Sequence, residues 1–258
     1  MTNHAKHDKE AKENIKRIVA EHGLFIALFE ATEYLPSFGY TIGLWKNHKH
    51  PELILFGLKT DIIGKILNDA GKMINEGHKF ATNELNHDLF ESAPATILNV
   101  HLESLEDYFG YGIWFNEGHF PALQIVWPDR TGLFPWELSF QKEFTYSQPL
   151  LDRNHSFKFF ESKDLGVFTT RQHLELAKPI VKVVHDTDGD WQFLTGDQYQ
   201  EDARLICLED MVKRDPTLNN IFNLEFGEYA ERDEIGGLWK RGKSEEEEWP
   251  NKTAYNKR

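Results

Sequence analysis

Two tryptophans, two phenylalanines, three prolines and two carboxylates crowd into one short stretch, Phe120–Glu137, which reads FPALQIVWPDRTGLFPWE. Pro128 removes a backbone donor, so a strand through ALQIVW must end at Trp127 or lie at a sheet edge. Asp129 and Gly132 fit a turn across PDRTG, and Pro135 fixes the approach of Trp136. Rigid rings beside a positioned acid suit a recognition loop, because little conformational entropy is lost when such a loop binds. The same residues suit a loop packed against its own domain, and composition does not separate the two readings.

Other stretches offer less. NHKHPE places His48, His50 and Glu52 at alternate positions, which share a face if the backbone is extended, a metal half-site in outline. The spacing departs from helical and zinc-ribbon patterns, so plain surface residues are the simpler reading. HDTDGDWQF sets Asp186, Asp188 and Asp190 at alternate positions, but the glycine precedes the third acid and Asp197 stands where a calcium loop needs its closing Glu. A hairpin turn through Asp188 and Gly189 accounts for them. There is no glycine-rich phosphate loop and no serine in a nucleophile elbow. We expect no catalytic residue, no metal and no cofactor. Cys207, the one cysteine, lies in the apolar run ARLICLED and reads as a buried, inert thiol.

The elements that must position these residues follow from periodicity. A helix is expected over Asp8–Glu21, strands at LFIALFEA, FGYTIGL and ELILFGL, and a helix from Asp61 with Thr60 or Asp61 as its cap. ATILNVHLE, a short helical or turn segment near Tyr108 and ALQIVW complete a first α+β domain, residues 1–145. Residues 146–163 read as a connecting segment. The strands GVFTT, PIVKVVHD, WQFLTG and ARLICL, with a helix broken before Pro216, build a smaller domain over 164–235. Residues 236–258 lose apolar periodicity and read as a flexible acidic tail, with Glu245–Glu248 solvated. The fold class is therefore α+β, two small domains, each a largely antiparallel sheet with packed helices.

Formal net charge is −13 over 258 residues. Residues 1–145 carry 13 basic and 20 acidic side chains, and residues 146–258 carry 16 and 22, so neither half is a basic module. Such a chain repels nucleic acid and anionic membranes at long range and attracts a basic partner. No stretch approaches the roughly 20 apolar residues that cross a bilayer. The N-terminus lacks the apolar core of a signal peptide, and a single cysteine pairs with nothing inside the chain, so the cytoplasm is the expected compartment.

Ser37–Leu58, SFGYTIGLWKNHKHPELILFGL, together with the WPD…GLFPW block, resembles a bacterial domain family without assigned function. Phe38, Tyr40, Thr41, Gly43, His50, Pro51, Glu52, Trp127, Asp129, Gly132, Pro135 and Trp136 stand at its motif positions. The second half is similar to an immunity-protein family of bacterial polymorphic-toxin systems, on Gly189, Trp191, Phe193, Gly196, Asp215 and Pro216. That resemblance implies a binder that blocks a toxin. The expectation is a non-catalytic, immunity- or antitoxin-like protein that occludes a basic, toxin-like partner. Tyr40, His50, Trp127, Asp129 and Trp136 would line one surface, and Asp188, Trp191 and Asp215 another. The alternative is a small-molecule or flavin-binding enzyme on the first domain, by analogy with the strand pattern of small flavin-binding barrels.

Overall fold

In a computed structural model that describes residues 3–244, the apolar strands gather into two six-stranded sheets. They belong to two units, the first ending at Lys158 and the second beginning at Phe159. The α+β class and the mainly antiparallel pairing read from the sequence are both present.

The first unit runs α1 (Asn3–His22), β1 (Phe25–Phe29), β2 (Phe38–Ile42), α2 (Leu44–His48), β3 (Glu52–Phe56) and α3 (Thr60–Asn75). β4 (Leu85–Asn86), β5 (Ala95–Asn99), α4 (Leu105–Tyr108), α5 (Gly110–Asn116) and β6 (Ala122–Val126) follow. Strand order is β1-β2-β3-β6-β5-β4, with β3 and β6 parallel and the other neighbours antiparallel. Every residue of β3 and β6 is buried, because helices cover both faces of the sheet. Leu53, Leu55, Leu123 and Ile125 face α3, which offers Ile63, Ile66, Leu67, Ala70 and Ile74 at helical spacing. Ile54, Phe56 and Ala122 face the other way, onto Ile15 and Val19 of α1, Leu105 of α4 and Phe109.

β6 stops at Val126, two residues before Pro128, and it is a central strand, so the proline ends it and does not mark an edge. Two amides then fasten the chain beyond it. Gln124 Nε2 donates to Pro149 O at 2.8 Å, and Leu151 N donates to Gln124 Oε1 at 2.9 Å. Gln148 Nε2 donates to Trp127 O at 2.7 Å. Residues 148–151, which read as a connector, are thereby bound to β6.

The second unit comprises β7 (Gly166–Thr170), α6 (Arg171–Leu176), β8 (Lys182–His185), β9 (Trp191–Leu194) and β10 (Ala203–Cys207). α7 (Leu208–Arg214), β11 (Glu228–Glu231) and β12 (Lys240–Lys243) complete it. Strand order is β10-β7-β9-β8-β11-β12, parallel only between β7 and β9. Burial alternates along β8 and β9, so one face is core: Val167, Val183, Trp191, Phe193 and Ala230 are buried.

Several expectations are corrected here. α3 has no side-chain cap: Thr60 Oγ1 donates instead to Glu30 Oε1, and Asp61 Oδ1 accepts from the adjacent Ile62 N. Cys207 is exposed, because β10 is an edge strand and the apolar run continues inward only at Leu208 of α7. Lys240–Lys243, within the expected tail, pairs with β11, Lys240 opposite Glu231 and Lys243 opposite Glu228. Glu245–Glu248 lie outside the described residues.

A buried ion pair ties the second unit together. Arg232 donates through Nη2 to Asp215 Oδ2, through Nη1 to Thr217 Oγ1 at 2.6 Å and through Nε to Ile180 O at 2.9 Å. Its guanidinium carbon lies 4.2 Å from the ring centroid of Trp239. Removing one member of such a pair strands the other charge in the interior. Asp215→Ala is therefore expected to cost about 3–5 kcal/mol. Urea denaturation measures it, and a loss under about 1 kcal/mol, typical of an exposed pair, would contradict this account.

Candidate functional site

Glu52 opens β3 and its side chain is 0% exposed. A buried carboxylate needs donors, and four converge on it. Thr41 Oγ1 donates to Oε2 at 2.7 Å, Gly43 N and Trp45 N donate to Oε1 at 2.8 and 3.1 Å, and Leu44 N donates to Oε2 at 3.2 Å. Glu52 thus satisfies the first amides of α2 from the strand that follows it, a task that a local cap residue ordinarily performs. Gly43 makes this possible. Its φ is +118°, and a Cβ there would meet Gly23 O at 2.8 Å and Val19 Cγ1 at 2.9 Å. Burial raises the Glu52 pKa to about 7 against the lowering effect of the four hydrogen bonds.

The rest of the HPE segment also turns inward. His50 is buried, its Nδ1 lies 2.7 Å from Pro51 O, and its ring meets Phe80 edge-on at 5.9 Å. Burial lowers its pKa. With Glu52 committed to α2, His48, His50 and Glu52 do not form a common ligand set. Among the described residues no group of three His, Cys, Asp or Glu side chains is placed to hold a metal ion.

Asp129 organises the second motif. Its Oδ1 accepts from Thr131 N at 2.8 Å, Thr131 Oγ1 at 2.6 Å and Leu133 N at 3.1 Å, and Oδ2 accepts from Gln141 N at 2.8 Å. Burial works to raise its pKa, but these bonds prevail and hold the carboxyl at about 2. Gly132, at φ +88°, donates its N–H to Asp129 O at 3.0 Å and closes the turn. Trp127 is buried, with its indole Nε1 donating to Phe56 O at 2.8 Å. Glu137 Oε2 accepts from Phe134 N at 2.7 Å, holding the loop's far end.

What this frame presents outward is Trp136, 42% exposed. Its ring stacks on Phe134 at 5.2 Å with an interplanar angle of 4°, and the guanidinium of Arg153 sits 5.2 Å from its centroid. Asp152 holds Arg153 by two bonds, to Nε at 2.8 Å and Nη2 at 2.6 Å. With Asn83, Thr96 and Leu98 these two side chains line an open cleft of about 330 Å³. The arrangement offers an aromatic ring, a fixed cation and amide and hydroxyl groups in one place, which suits binding.

Of the five residues expected on the first surface, then, only Trp136 reaches it, and Tyr40, His50, Trp127 and Asp129 lie beneath. Tyr40 is fully buried, its hydroxyl accepting from Tyr111 N at 3.2 Å. In the second unit Asp188 is exposed at the β8–β9 turn, where its N–H donates to Asp186 Oδ1 at 2.9 Å. Trp191 is buried, stacked on His185 at 4.0 Å, with Nε1 donating to Glu161 Oε1 at 2.6 Å. Asp215 is buried on Arg232. Aromatic and acidic residue types mark a candidate surface in the sequence, but only burial separates the ring that is exposed from the side chains that hold it. Asn83, Thr96, Leu98 and Arg153 carry no motif and come from separate segments, so the sequence does not single them out. Glu52 did leave a signal: an acid opening an otherwise apolar strand, ELILF, demands buried donors.

Residues 18–141, just under half of the chain, match the family model described as Domain of unknown function (DUF4262). Both motif blocks fall within that span. No curated protein and no solved structure matches the chain.

Two outcomes are expected. Because the folded state raises the Glu52 pKa, it binds a proton that the unfolded chain releases. The Glu52 contribution is therefore complete below the ordinary carboxyl range and is lost as pH rises through about 7. Between about pH 5 and pH 8 the wild-type denaturation midpoint should fall relative to that of Glu52→Gln, a comparison that cancels the opposite contribution of buried His50 and His185, whose lowered pKa values add stability as pH rises. Asp129→Ala should speed hydrogen exchange at the Thr131, Leu133 and Gln141 amides while leaving β3 protected. Unchanged exchange there would mean that the carboxylate does not hold the loop.

Proposed function

We propose that this protein is a non-catalytic binder, immunity- or antitoxin-like, that neutralises a basic protein by covering it. The observation that carries the reading is the exposed Trp136, stacked on Phe134 in a loop that the Asp129 and Glu137 side chains hold from within. A preorganised aromatic anchor loses little entropy on binding, and such residues dominate interface energetics. The net charge of −13 supports a basic partner, since it speeds encounter by electrostatic steering. In the second unit, Asp188 of the expected second surface is exposed at the β8–β9 turn. A cytoplasmic location belongs to the same proposal. Tyr40, His50, Trp127, Asp129, Trp191 and Asp215 enter this reading as supports of the surface and not as contacts.

The small-ligand alternative has one observation in its favour, the 330 Å³ cleft beside Trp136, which falls at the lower end of ligand-pocket sizes. One experiment separates the two readings. The tagged chain and its Trp136→Ala and Asp188→Lys variants are used to capture partners from the native host at low and high salt, and each preparation is scanned for absorbance. The expected result is one stoichiometric basic protein, lost at high salt and bound about tenfold or more weakly by Trp136→Ala. A bound chromophore and no protein would transfer the assignment to the small ligand. A partner held equally by all three forms would remove Trp136 and Asp188 from the interface.

A further inference from the structure

On this acidic chain one part of the first unit is locally basic. α1, α2 and α5 bring four lysines onto three aromatic rings. Lys12 and Lys16 Nζ lie 5.4 and 5.3 Å from the ring centroid of Trp114, Lys46 Nζ lies 4.8 Å from Phe115, and Lys49 Nζ lies 5.8 Å from Trp45. The rings are neighbours: Trp114 and Phe115 meet at 6.3 Å, and all three pack against the same core cluster, which includes Ile15 and Val19 of α1. Lys46 is further fixed by donating to Phe115 O at 2.7 Å, which joins α2 to the end of α5. The island is therefore built on a rigid aromatic base and is not a chance scatter of mobile side chains.

Its charge is only partly offset. Asp8 pairs with Lys12 at 2.6 Å, and Glu117 lies 4.0 Å from Lys46 with its side chain 87% exposed. Among the described residues, no ion pair reaches Lys16 or Lys49. Four cations against two paired acids leave an excess of positive charge, bordered by half-buried aromatic carbon, on a chain of net charge −13.

We infer that this patch is a docking surface for an acidic protein segment, one that interleaves Asp or Glu with apolar side chains. Charge complementarity selects the acids, and the ring edges between the lysines select the apolar residues. Nucleic acid is a poorer match on two counts. The lysines already occupy the ring of Trp114, where a base would stack. A phosphate backbone also brings one charge per ~1.7 Å of duplex against a molecule of net charge −13, whereas a short segment brings few. This surface involves none of the residues of the Trp136 cleft, so it stands or falls separately from the function proposed above.

The test uses the full chain and fluorescence anisotropy with three labelled probes: a Glu/Leu peptide, its Gln/Leu counterpart and oligothymidylate. Two charge-reversal pairs are compared, Lys16→Glu/Lys46→Glu in the patch and Lys163→Glu/Lys243→Glu in the second unit, which change the net charge equally. The expected result is salt-sensitive binding of the Glu/Leu peptide over the Gln/Leu peptide. The patch variant should bind it about tenfold more weakly, and the second-unit variant within about twofold of wild type. Should Lys16→Glu/Lys46→Glu fail to fold by circular dichroism, Lys16→Gln/Lys46→Gln is read in its place. Absence of peptide binding, equal losses in both reversal variants, or oligothymidylate bound as tightly as the Glu/Leu peptide would each overturn the inference.

Discussion

The first unit depends on a carboxylate that could not be buried without help. Glu52 enters the interior at the start of a central strand, and the penalty for desolvating it is offset by three backbone amides and one hydroxyl. Those amides are available only because Gly43, just before α2, turns the chain after β2. Thr41, in β2, serves twice, donating to Glu52 and accepting from Leu53 N at 2.8 Å. A single side chain thereby fixes the pairing of β2 with β3, the start of α2 and the entry of the chain into the sheet core.

The far end of the same strand fixes the second motif. Phe56 O receives the indole N–H of Trp127, and the parallel register of β3 with β6, Glu52 opposite Ala122 through Leu55 opposite Ile125, carries one motif block to the other. From there Asp129 takes over, using the same device of a carboxylate ringed by donors. The two acids end with opposite character because their settings differ: burial prevails at Glu52 and lifts it to about 7, whereas hydrogen bonds prevail at Asp129 and keep it at about 2. Most of the motif's polar residues are thus spent on architecture, and Trp136 and Arg153 are what that architecture displays.

The second unit solves a different problem. Its sheet has a core on one face, and the large polar-tipped side chains inside it, Trp191, His185 and Arg232, each reach a specific acceptor: Glu161, Leu224 O and Asp215. The aspartate turn before Trp191 is closed by Asp186, whose carboxylate accepts from Asp188 N and Asp190 N. That is hairpin chemistry, as its spacing suggested.

Much of this was legible from residue order alone. Period-two and period-3.6 apolar patterns are properties of local backbone geometry, so the strands FGYTI, ELILF and ALQIV, the helix after Thr60 and the break before Pro216 could all be read from sequence. The proline that ends β6 and the turn at Gly132 are local as well. Burial is not local. Whether an acid such as Asp129 or Asp215 faces water or a ring of donors depends on segments far away in the chain, and so does the exposure of Cys207, which follows from β10 lying at a sheet edge. Sequence could supply the residue types of a binding surface. Only the tertiary structure decided that Trp136 is displayed while Tyr40, His50 and Trp127 are enclosed, because solvent exposure is set by what packs on top.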